Sequence, residues 1–366
     1  MIISFNTGKI NTNNSSGLLQ QKRVEVTENG LDVVVPDAGY DGFSTVYIKT
    51  NVESGGGAFK DFSSIGYDDE TSIMLNNEID DDIAYSKSLY DAWKPENTTA
   101  RGLYSYDTEL VYAPAIDVSN VTDAGNMFGN CSNLYYVPAY SFNSLKNADE
   151  VFVNCSNVVN LNLSSWNMSN IKQCLRLCRQ CSKLERVDVT GWDLSNFTGS
   201  TDAWFGYCSN LTEIKGIENW FLPKVTSLYY LFYNCSSLTS LNLSNWEINS
   251  VKNLDSTFYG CKKLVTLDLS SWNLVNVTST SQVFSNCNEL TNLQFGNDIK
   301  YSFSLSSSTK LTVESLLSVL NGLYNFTEAG ETPSSSQGKL TLGSTNLAKL
   351  SDEQKAIATS KGWTLA

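Results

Sequence analysis

Seven cysteines recur through the middle of the chain at nearly constant spacing: Cys131, Cys155, Cys181, Cys208, Cys235, Cys261 and Cys287, in steps of 24 to 27 residues. Three residues before them stand Phe128, Phe152, Cys178, Phe205, Phe232, Phe258 and Phe284. Three after stand Leu134, Val158, Leu184, Leu211, Leu238, Leu264 and Leu290, and six after stand Val137, Leu161, Val187, Ile214, Leu241, Leu267 and Leu293. Tryptophans close the later units at Trp166, Trp192, Trp220, Trp246 and Trp272, with Phe142 at that phase earlier. Fixed apolar phases with a period near 26 mark an internal repeat, and a repeat constrains the fold more than any single motif does.

One unit reads FYNCSSLTSLNLSNW from Phe232 to Trp246. The alternation after each cysteine, as in LTSLNLS and LVTLDLS, predicts a short strand with one buried face. In the return, Val251, Leu254 and Phe258 fall at helical spacing behind Asn249 and Ser250 as caps, which predicts one or two helical turns. Such a unit cannot bury its apolar edge alone, so stacking into a solenoid is expected, with strands pairing in parallel about 4.8 Å apart. Returns wider than strands would put the strands on the concave side.

The Phe, Cys, paired leucines and Ser-x-Trp resemble the BspA-like leucine-rich repeats of bacterial surface proteins and their phages. The resemblance runs from about Leu110 to Asn297. The first units depart from it at Pro138 and Phe142, and Cys178 replaces a phenylalanine. The expected fold is α/β: a curved leucine-rich repeat solenoid with parallel strands on the concave face, helical caps and a small N-terminal β module.

The organisation expected is an extended arm over 1–22, a small β attachment module over 23–53, a linker and helical N-terminal cap over 54–109, the solenoid over 110–297 and a C-terminal cap over 298–366. The arm is polar and rich in Asn, Ser and Thr. Strands are expected at Val24–Val26, Val33–Val35 and Ser44–Lys49, with a hairpin signal at Glu28-Asn29-Gly30. The phrase VVPDAGYDGFSTVYIKTNV looks like a module of virion proteins of phages infecting gut bacteria. Asp37 and Asp41 flank Gly39, and turn chemistry accounts for them without calcium. Ser54–Phe59 reads as a flexible joint, Asp81–Trp93 as the capping helix, and Leu110–Ile116 as the first strand. At the far end, helices are expected over Leu311–Leu323, capped by Thr312, and from Ser351 to Ser360, with a strand at KLTLGS.

Composition excludes several classes of function. The chain carries 38 acidic and 25 basic residues, net −13, which disfavours binding to a phosphate backbone. It has no histidine, which removes the usual general base and the Ser-His-Asp arrangement. Asp188 and Asp268 alternate with Asn162 and Asn242 at one repeat phase, a varying surface rather than a catalytic carboxylate pair. Cys174, Cys178 and Cys181 lie four and three apart, and are read as buried thiols rather than zinc ligands. No cofactor is expected, and no apolar run reaches the roughly 18 residues of a membrane span. Residues 1–20 lack the basic start and apolar run of a signal peptide, which favours cytoplasmic assembly into a virion and reduced cysteines.

If a partner binds, the strand face is the expected place. Its outward positions are Tyr112; Tyr136 and Tyr140; Asn160 and Asn162; Arg186 and Asp188; Glu213 and Lys215; Asn242; and Asp268, a set suited to protein or glycan recognition. The functional expectation is a non-enzymatic structural virion protein of a tailed phage, tail, fibre-associated or capsid-decorating. Its N-terminus would dock on other virion proteins, in multiple copies per particle, and its repeats would face a host surface protein or glycan. The rival expectations are a bacterial cell-surface adhesin and a passive spacer within the virion.

Overall fold

The computed structural model describes residues 94–366, apart from 95, 112, 114 and 115, and four short strands nearer the N-terminus. The chain divides into two compact units, Met1–Ala92 and Trp93–Ala366. In the first, β1 (Arg23–Glu25) pairs antiparallel with β2 (Asp32–Val34), and β3 (Tyr47–Thr50) with β4 (Ala58–Asp61). β4 begins inside the stretch read as a flexible joint: Ala58 pairs with Thr50 and Phe59 with Lys49, so that segment closes a strand pair. The helix expected over Asp81–Trp93 and the arm over 1–22 lie outside the described residues.

In the second unit the alternating runs form β5 (Asn160–Asn162), β6 (Arg186–Asp188), β7 (Glu213–Lys215), β8 (Ser240–Asn242), β9 (Thr266–Asp268) and β10 (Asn292–Gln294). β5, β6 and β7 make one parallel sheet and β8, β9 and β10 another. The register aligns Leu161, Val187 and Ile214, then Leu241, Leu267 and Leu293, and every one of these side chains is buried. The two sheets part after β7. There the chain enters left-handed Gly216 (φ 91°) and a 3-10 turn over Ile217–Asn219. A Cβ at Gly216 would come within 2.6 Å of the Thr190 Cα, so only glycine fits. Over Leu110–Ile116, where the first strand is expected, Tyr135 N–H donates to the Val111 carbonyl and Ala113 N–H to the Tyr136 carbonyl at 2.8 and 2.9 Å; Pro138 has no N–H to extend that pairing.

The returns are not helical. Each is a pair of tight turns bonded to the next unit. Thr257 N–H donates to the Leu254 carbonyl and Cys261 N–H to the Phe258 carbonyl, at 3.1 and 3.2 Å. Ser256 (φ 54°) and Gly260 (φ 72°) are left-handed, which no α-helix accommodates. The intervening N–H groups leave the unit altogether: Leu254, Ser256, Phe258 and Gly260 donate to the carbonyls of Ser279, Ser281, Val283 and Ser285 at 2.8–3.1 Å. Ser250 does not cap a helix; its hydroxyl donates to the Pro223 carbonyl at 2.6 Å. The helix-like apolar spacing arises because each turn sends one residue inward. Neighbouring units are thus joined by backbone bonds on both sides of the core.

Between these layers run three side-chain ladders. Phe205, Phe232, Phe258 and Phe284 stack at 5.7–6.1 Å, and Tyr104, Phe128 and Phe152 at 5.3–5.6 Å. Cys178 interrupts that column with a smaller side chain, and Trp204 packs edge-on against Trp192 and Trp220 nearby. The tryptophans from Trp166 to Trp272 stack at 5.4–6.3 Å. Each repeat cysteine donates its thiol to a carbonyl of the unit before, Cys155 to Phe128 and Cys235 to Phe205 at 3.0 Å. All nine cysteines are free and buried. Burying a phenylalanine contributes about 1.5–3 kcal/mol, and each ring pair adds about 0.5–1.5 kcal/mol.

α-Helices enter only at the end of the chain among the described residues. α1 (Val313–Asn321) starts at Thr312, whose hydroxyl accepts from Ser315 N–H at 3.1 Å, and lies against β10. α2 (Phe326–Ala329) follows. β11 (Phe303–Ser304), β12 (Lys339–Thr341) and β13 (Thr364–Leu365) make a parallel sheet, with α3 (Gly343–Leu347) and α4 (Asp352–Ser360) between the last two strands. A reciprocal Ser351–Gln354 capping box opens α4.

Candidate binding surfaces

The strand-face positions fall into three groups. Tyr136, Asn160 and Arg186 are half-buried, and Glu213, Lys215 and Asn242 are exposed. Tyr140 is 3% exposed: its ring lies 6.0 Å from Phe128 and 6.1 Å from Phe142, so it extends the aromatic core instead of facing outward. Burial pushes its hydroxyl pKa well above the usual tyrosine range. Tyr112 lies outside the described residues.

The third group is the Asn/Asp phase at the strand ends. Asn162, Asp188, Asn242 and Asp268 each accept the N–H of the residue two further on, at 2.8–3.1 Å. This side-chain turn ends the strand, and Asn and Asp serve it equally. The alternation read as surface variation is therefore turn chemistry. Asp188 is 2% exposed and also pairs with Lys215 at 3.3 Å.

Where β7 and β8 part, a cleft of about 310 Å³ opens on the strand side. Glu213, Lys215 and Asn242 line it with Thr212, Glu218 and Ser240. The fold thus gathers three of the expected residues at one place, with charges of both signs. Among the described residues no group of three or more Cys, Asp or Glu could hold a metal ion, and no helix is long and apolar enough to cross a membrane.

A second, larger groove lies at the corner where returns meet strands, on residues that strand periodicity does not single out. Its volume is about 610 Å³, and it is lined by Asn154, Ser156, Gln180, Ser182, Tyr207, Ser209, Asn234, Ser236 and Lys262. These residues flank the repeat cysteines. The asparagines take left-handed backbone there (Asn154 φ 59°, Asn234 φ 57°), which is why the Asn-Cys-Ser triplet recurs. Tyr207 and Tyr230 occupy left-handed positions as well, at 67° and 58°. Tyr207, Tyr233 and Tyr259 form a half-buried file at 4.8 and 4.7 Å spacing, with the Arg179 guanidinium 5.3 Å from the Tyr207 ring. Burial, with Tyr207 and Tyr259 alongside, pushes the Tyr233 hydroxyl up to about 12. The signal for this groove in the sequence was Tyr207, with Gln180, at a phase otherwise held by Asn and Gly.

Parallel three-residue strands, a fixed leucine register and unit-to-unit backbone bonding define a repeat protein of leucine-rich type. Residues 108–213 and 200–313 match the family described as "Mycoplasma protein of unknown function, DUF285". The two matches cover more than half of the 366 residues, and the chain belongs to this family. No curated protein matches the chain.

Proposed function

We propose that the chain is a non-enzymatic recognition protein whose repeats form a curved solenoid and present the strand face to a protein partner. The observation that carries this reading is the cleft between β7 and β8, where Glu213, Lys215 and Asn242 converge on rigid strand ends. Both charges are set on a scaffold bonded on two sides, which limits the ordering that binding must offset. Mixed charge of this kind favours selective, salt-sensitive association rather than nonspecific adhesion.

The finer proposal is a virion component of a tailed phage, docked on the particle through the region before residue 53, with the repeats facing the host. The supporting observation is the phrase VVPDAGYDGFSTVYIKTNV together with two antiparallel strand pairs in Met1–Ala92. Mass spectrometry of purified particles tests it: the chain is expected among the structural proteins. Purified chain should also compete with particle adsorption, and a Glu213→Lys/Lys215→Glu variant should not. Recovery of the chain in the bacterial envelope and not in particles would replace this reading with the adhesin.

A further inference from the structure

We propose that the corner groove beside Tyr207 is a second binding site, separate from the strand face, and that it takes a neutral oligosaccharide. Three of the lining serines direct their hydroxyl protons away from the groove. Ser156 donates to the Ser132 carbonyl at 3.2 Å, Ser209 to the Ser182 carbonyl at 3.2 Å, and Ser236 to the Ser209 carbonyl at 3.1 Å. Each proton is held along the stack, so the serine oxygens offer lone pairs to whatever enters. A row of fixed acceptors selects a ligand rich in donors.

Charge narrows the class. Among the described residues no lining residue is acidic, and Lys262 is the one lining cation. A phosphate or carboxylate polymer would meet serine lone pairs and a protein of net charge −13. A cationic polymer would meet Lys262. An apolar peptide would find a wall of Ser, Asn and Gln. A polyhydroxylated neutral chain satisfies the acceptors, while Tyr207 offers an aromatic surface to its C–H groups.

Periodicity supplies the second argument. The lining residues come from five successive units, a run of about 19 Å at the spacing of parallel strands. The adjacent tyrosines repeat at 4.7–4.8 Å. Equivalent positions at constant spacing suit a linear polymer of equivalent residues. Tyrosine at the left-handed 207 position is strained where Asn154 and Asn234 are not. Its placement adds ring surface to the groove at a backbone site that favours asparagine.

Native gel electrophoresis of the full chain through gels containing mannan, dextran or galactomannan, with polygalacturonate as the anionic comparison, tests this. At least one neutral polysaccharide is expected to retard the chain. Tyr207→Asn keeps a residue suited to the backbone, and Ser209→Leu fills the groove without touching the cores. Each should weaken retardation at least fivefold while the folded-state circular dichroism is retained, and Glu213→Lys should leave retardation intact. No retardation by any of the three, retardation by polygalacturonate alone, or retardation unaffected by both groove variants would overturn the proposal. Loss on Glu213→Lys instead would move glycan binding to the strand face.

Discussion

The Leu293 N–H donates to the Ser315 hydroxyl at 2.9 Å, and that hydroxyl donates in turn to the Thr291 carbonyl at 3.1 Å. One side chain on α1 so does for the edge of β10 what another strand's peptide group would do. Two residues on, Phe295 N–H donates to the Ser318 hydroxyl at 2.9 Å. A helix closes the open edge of the sheet that would otherwise template association. Ser315→Ala leaves a buried N–H unpaired and should cost about 1–3 kcal/mol. Urea melts check it. The Ser315→Ala/Ser318→Ala double variant should also sediment as larger species at high concentration, and a monomeric double variant of full stability would contradict the assignment.

Inside and outside are separated by one residue along each strand. Phe232 stacks between Phe205 and Phe258 at 6.1 and 5.8 Å, and Phe232→Ala should destabilise by about 3–5 kcal/mol. Asn242 is exposed and holds the Ser244 N–H at 3.1 Å, so Asn242→Ala should cost about 1 kcal/mol. Asn242→Asp should be neutral, because Asp268 makes the same turn in the next unit. Thermal melts of the three variants read this order directly.

Much of this was legible in the residues, and what was not has a physical cause. The phases of Leu161, Val187, Leu241 and Leu267 placed the strands and their buried faces, and Thr312 and Ser351 placed the helix starts. Apolar spacing alone does not distinguish a helix from paired turns, so it predicts helix where the returns are turns. Left-handed residues at Asn130, Asn154, Asn234 and Gly260 were the discriminating signal. Tyr140 was placed outward by counting from Val137, but Pro138 stands where the later units run into regular strand, and the ring turns into the core. The Tyr207 groove was invisible to strand periodicity because its residues belong to the corner beside the cysteines.

The buried thiols predict a loss of stability at alkaline pH. Burial pushes Cys131, Cys181 and Cys287 up to about 12 from an ordinary value near 9. Above pH 9 the unfolded chain releases protons that the folded chain keeps. Stability is therefore constant with respect to these groups below pH 9 and falls between pH 9 and 12, by up to about 1.4 kcal/mol per pH unit for each thiol. Urea midpoints across pH 8–11 check the sign. In the native state below pH 9, iodoacetamide should label none of the nine cysteines, and all nine should react in urea without reductant.

Each unit is bonded to the next on the return side as well as the strand side. From Leu228 to Asn234 the N–H groups of 228, 230, 232 and 234 donate to the next unit at 2.7–3.2 Å, and those of 231 and 233 close turns at 3.1 Å. Amide hydrogen exchange read by mass spectrometry on the full chain measures this most directly. Peptides covering 228–235 should be protected to the same degree as peptides covering β8 and β9, and should lose protection together with them in rising urea. Returns that exchange as open loops while the strands stay protected would show that the return-side bonds do not hold the units together.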